Sequence, residues 1–119
     1  MSTQLFATVD ELPKVYKSSV VAVCGRDNQL WYGIVTQSPS NQTASAKLAV
    51  EWFEIAYTTS KDAIVLQLAD ENPDSIPLGA VLDVVHHQQL SGDVVLVDAA
   101  EQTRLKQIGN YIILLAMQN

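Results

Sequence analysis

The stretch ASAKLAVEWFEIAY, residues 44–57, can be read in two ways, and the choice sets how many helices and strands the chain contains. At 100° per residue Lys47, Glu51 and Glu54 fall on one narrow polar stripe, with Leu48, Trp52 and Ile55 opposite, the pattern of an amphipathic helix. Read as a strand, the same residues change their inward parity between Trp52 and Phe53 and need a bulge to keep the apolar side chains inside. The periodicity therefore favours a helix over 44–57, with an apolar arc wide enough to be buried on more than one side.

On the N-terminal side, SSVVAVC (18–24) and LWYGIVTQ (30–37) are rich in β-branched and aromatic residues, and Gly25 with the three polar residues after it supplies a turn. This predicts a β-hairpin. Apolar side chains occur at odd and even positions of both strands, so the sheet they join has both faces at least partly covered. Further upstream, Thr8 and Glu11 have capping-box spacing and predict a short helix, which Pro13 curtails or distorts.

On the C-terminal side, residues 62–69 read as a buried strand and 70–77, with two prolines, as a loop. Residues 78–90 are rich in valine, which favours a strand. Ser75 and Pro77 before them and Gly92 after them are helix start and stop signals, so a helix is expected. Residues 93–98 form a short strand. Asp98 and Glu101 make a second capping box, but the apolar residues of 99–108 scatter around a helical wheel. Gly109 and Asn110 sit where a two-residue loop would join 103–108 to 111–117, so a hairpin is expected there. The sum is an α+β single domain over 1–119, a mostly antiparallel sheet of about five or six strands flanked by two or three helices. This order of elements is similar to that of profilin-type and roadblock-type three-layer domains, a likeness of layout that no motif carries.

Composition limits the function classes. With 48% apolar and 17% charged residues, the 119-residue chain has material for one packed core and is too apolar to be disordered. Its net charge of −6 excludes nonspecific nucleic-acid binding and attraction to anionic membranes, both of which need clustered Lys and Arg. No apolar run approaches the about 20 residues of a spanning helix. The first residues lack a basic leader, so a cytoplasmic location is expected. The single Cys24 offers no intramolecular disulfide.

Three groups of residues are candidates for function. Asp83, His86 and His87 would share a helix face, with the carboxylate four residues from the second imidazole, a spacing that suits a proton-transfer pair. On a strand the two histidines would point to opposite faces and the group would dissolve. Trp31 with Tyr32, and Trp52 with Phe53, are adjacent pairs of which one member at most can fill a given core pocket. The outward members either cover a rim or form an apolar patch for a partner or ligand. No zinc-ligand spacing, serine-hydrolase elbow or phosphate-binding glycine loop occurs, so neither metal nor cofactor is expected. Together these features favour a small non-enzymatic binding or adaptor protein. A homodimer is expected because the thinly charged surface tolerates self-association, and the other partner would be a protein or a small apolar ligand. The alternatives are a pocket-bearing enzyme or ligand-binding protein using Asp83, His86 and His87, and an acidic nucleic-acid mimic.

Overall fold

The computed structural model describes residues 12–25 and 29–117, with side chains to residue 110. The helix expected from Thr8 and the tip of the first hairpin lie outside the described residues. Among the described residues there are eight strands: β1 (Val20–Cys24), β2 (Leu30–Gln37), β3 (Lys47–Thr58), β4 (Ile64–Leu68), β5 (Asp74–Pro77), β6 (Val81–Val84), β7 (Gln88–Ser91) and β8 (Val94–Val97). They are followed by one α-helix, α1 (Ala99–Met117), and a single 3-10 turn, Leu78–Ala80, precedes β6. All the pairings are antiparallel, in the order β6-β1-β2-β3-β4-β8-β7, with β5 also on β3. The two ends of this path, β6 and β7, are consecutive in the chain and joined only through Val85, His86 and His87, so the sheet curls into a half-barrel.

This corrects the expected architecture of five or six strands flanked by two or three helices. The mostly antiparallel sheet and the β1–β2 hairpin hold, and so do the strands at 62–69 and 93–98. Residues 44–57 do not form a helix. They supply β3, the longest strand, which pairs with β2 and β5 through its first half and with β4 through its second. Residues 78–90 form β6 and β7, and Asp74–Pro77 is a strand within the expected loop. The expected hairpin at 103–117 is instead α1. The likeness to three-layer domains disappears with the helices that suggested it.

Two cores lie on opposite faces of the sheet, and strand alternation sorts residues between them. Val20 and Ala22 of β1, Tyr32 of β2 and Phe53 of β3 enter the first core with Ile64, Leu66, Val95, Val97 and Leu105 of α1. Val21, Val35, Leu48 and Val50 enter the second, closed by Val15, Leu78 and Val81. Val15 is pinned there by Gln42, whose side-chain oxygen accepts from its N–H at 3.1 Å and whose amide donates to its carbonyl at 3.0 Å.

Helix α1 begins at a working N-cap. The Asp98 side chain accepts from the Glu101 N–H at 2.8 Å, satisfying one of the open donors of the first turn. Glu101, Leu105 and Gly109, four residues apart, are buried against the sheet. A Cβ at Gly109 would meet Leu82 Cδ1 at 3.5 Å, an ordinary contact. Gly109→Ala should therefore stabilise the fold by about 0.5–1 kcal/mol through helix propensity and reduced unfolded-state entropy. Thermal unfolding would show a higher midpoint, and a lower one would mean that the helix cannot accept even a methyl group against Leu82.

Candidate functional site

The register of β3 creates a concavity. Its ladder with β2 runs from Gln37↔Ala49 to Gly33↔Trp52; beyond that point Leu30–Tyr32 pair with β1 while Phe53–Thr58 pair with β4. A cleft of about 440 Å³ lies where the two strands part. Its apolar lining comes from Leu30 and Tyr32 of β2, Ile55 of β3 and Ile64 of β4. Its polar lining comes from Gln102, Lys106 and Asn110 of α1 and from Gln29. The four-residue spacing of the three helix residues puts them on one stripe, beside the buried stripe of Glu101, Leu105 and Gly109.

Hydrogen bonds hold the helix side of this cleft in place. The Gln102 amide donates to the carbonyl of Asp62 at 2.9 Å and to that of Val97 at 3.1 Å, joining α1 to the β3–β4 turn and to β8. Asp62 occupies a left-handed conformation there (φ 63°), which a short polar side chain tolerates.

Behind the cleft lies a charged network. Arg104 grips Glu101 with two bonds, Nε to Oε1 at 2.6 Å and Nη2 to Oε2 at 2.7 Å. It also donates to Asp83 Oδ2 at 2.5 Å and to the Val84 carbonyl at 3.1 Å. Glu101 is 6% exposed, and its Oε2 additionally accepts from the His86 N–H at 2.7 Å. The Arg104 hydrogen bond, helped by the bond from His86, holds the Glu101 carboxyl below its ordinary pKa despite burial. Burial pushes the Tyr32 phenol up to about 12, and the Glu101 charge adds to the shift, so Tyr32 stays protonated across the physiological range.

The expected residues are distributed as follows. Tyr32 lines the cleft. Trp31 and Trp52 meet on the opposite face, edge to face with centroids 6.1 Å apart, and Trp31 is 50% exposed. The Trp52 indole lies over Gly33, where an added Cβ would come within 3.2 Å of the ring, and its Nε1 donates to Asp74 Oδ2 at 3.3 Å. Asp83, His86 and His87 do not share a helix face. Asp83 is held by Arg104, while His86 and His87 are exposed on the link between β6 and β7. His87 Nδ1 lies 3.1 Å from the Val85 carbonyl, and none of the three residues lines the cleft.

Sequence reasoning missed Leu30, Ile55, Ile64, Gln102, Lys106 and Asn110. The signal for the last three was the capping box at Asp98, which fixes the helix frame in which they align. Among the described residues, no three His, Cys, Asp or Glu side chains are grouped to hold a metal ion, and no helix is long and apolar enough to cross a membrane. Searches against protein-family models, curated proteins and solved structures found no match for this chain.

Proposed function

We propose that this chain is a non-enzymatic binding module whose recognition site is the cleft between β2, β3 and α1. The observation that carries this reading is a cleft of about 440 Å³ lined by Leu30, Tyr32, Ile55 and Ile64 together with polar side chains of α1, within the range of about 300–1,000 Å³ usual for small-molecule sites. The titratable groups behind it fit binding better than chemistry. Tyr32 is kept protonated, and Glu101 is neutralised by Arg104. The occupant is a small apolar molecule or an apolar side chain of a protein partner.

Neutral 2-naphthylmethanol, followed by amide chemical shifts, tests this reading. Saturable shifts should map to β2, the start of β4 and α1. Ile55→Asp, at a residue 60% exposed and therefore compatible with folding, should weaken binding at least about ten-fold by placing a charge in the apolar lining. Shifts spread over the whole surface, or binding unaffected by Ile55→Asp, would rule the cleft out as the site.

A second reading, a homodimer, rests on the edge of β3. No described strand pairs with the β2-side edge of residues 53–58, and Ile55 and Tyr57 are exposed there. Antiparallel pairing of two copies about Ala56 would set Ile55 opposite Tyr57 and Glu54 opposite Thr58, with no like charges opposed. Light scattering should then give the dimer mass for the native chain and the monomer mass for Tyr57→Lys, which charges the edge. A monomeric native chain would overturn this second reading and leave the first intact.

A further inference from the structure

We infer that the ligand class of the cleft is an anionic apolar molecule, an aromatic or branched aliphatic carboxylate, bound with its charge at Lys106. This inference rests on the cleft being the recognition site. Among the described residues lining the cleft, Lys106 is the only charged one, and it is positive in a chain of net charge −6. A cation placed at an apolar concavity of an acidic protein gives that position a local preference opposite to the overall field.

Glu101, one helical stripe away, does not cancel that preference, because it is engaged by both arms of the Arg104 guanidinium. Among the described residues Lys106 itself makes no ion pair, so its ammonium is available to a ligand carboxylate.

The polar lining adds hydrogen-bonding capacity of the right kind. The side-chain amide of Asn110 lies one turn beyond Lys106 on the same stripe, so a carboxylate at Lys106 has a neutral N–H donor within one helical turn. The protonated Tyr32 shares the cleft lining with Leu30, Ile55 and Ile64. A ligand with one anionic end and an apolar body therefore matches the polar and apolar parts of the lining. A cationic molecule would face Lys106, and a neutral one would leave its charge unused.

The test compares 2-naphthoate with neutral 2-naphthylmethanol and cationic 2-naphthylmethylammonium by titration calorimetry on the full chain. The carboxylate should bind about five-fold more tightly than the alcohol, as one exposed charge pair of about 1 kcal/mol gives. The ammonium should bind more weakly than the alcohol, and added salt should narrow the spread. Lys106→Gln should abolish the carboxylate's advantage over the alcohol, and Lys106→Arg should retain it. Equal affinity for carboxylate and alcohol would overturn the ligand class and leave the cleft standing as the site. Failure of all three probes to bind would overturn the cleft reading itself.

Discussion

Arg104→Ala should lower the folding free energy by about 2–3 kcal/mol. The loss arises because the variant keeps Glu101 buried at 6% exposure while removing two of the three hydrogen bonds that offset its desolvation, leaving the one from the His86 N–H. Arg104 is itself one-third exposed, so water entering the vacated space places the value below the full cost of orphaning a deeply buried charge. Glu101→Gln should cost less. The amide oxygen can still accept from the His86 N–H, and Arg104 keeps Asp83 as a partner.

The pH dependence has a definite sign. The folded-state pKa of Glu101 is depressed, so its contribution is fully present above the ordinary carboxylate value and is lost as pH falls through the folded value. In Arg104→Ala the main cause of the depression is gone. The stability gap between native chain and variant should therefore shrink as pH drops below about 4, the ordinary range for a glutamate. Urea denaturation at a series of pH values measures both quantities. A gap under about 0.5 kcal/mol at neutral pH would show that α1 is held by packing alone.

The same network explains why α1 was hard to find in the sequence. A docked helix normally shows an apolar stripe, but here the buried stripe is Glu101, Leu105 and Gly109, with one large apolar residue in three. The carboxylate is buried because Arg104 and the His86 N–H satisfy it, and the glycine is buried because it falls on the stripe that faces Leu82. Hydrophobic periodicity reports neither reason. The capping box at Asp98 was the reliable local signal, because it depends on backbone donors that any helix start must satisfy.

The misreading of residues 44–57 has a different origin. Leu48 and Val50 face one core while Phe53 faces the other, and the ladder with β4 shifts register between Ile55 and Tyr57. A strand buried first on one face and then on the other, with a bulge near its end, loses the period of two and mimics a helical stripe over three turns. The β1–β2 hairpin was legible because its strands run five and eight residues and its apolar residues at both parities signalled two covered faces. The cleft itself was not legible. It exists because β2 and β3 part after Gly33 and Trp52, and where a ladder ends depends on long-range pairing that one strand's residues do not encode.

Leu105→Ala should destabilise the fold by about 3 kcal/mol, within the range for emptying a fully buried leucine site. Leu105 is 0% exposed and joins α1 to Tyr32, Phe53, Ile64, Val95 and Val97 in the first core. Leu48→Ala should cost a similar amount, since Leu48 is also 0% exposed, but its site is in the second core on the opposite face. The two variants should therefore differ in function at matched stability. Losing the Leu105 anchor loosens the helix that carries Gln102, Lys106 and Asn110, so binding of 2-naphthylmethanol should fall and amide exchange should rise along α1. Leu48→Ala should leave both near the native level under conditions where it remains folded. Leu105→Met, which conserves volume, should cost less than about 1.5 kcal/mol and keep binding. Equal loss of binding in the two alanine variants would show that the cores are not separable and that the cleft depends on the whole sheet; loss in Leu105→Ala alone would locate its support in the packing of α1 on the first core.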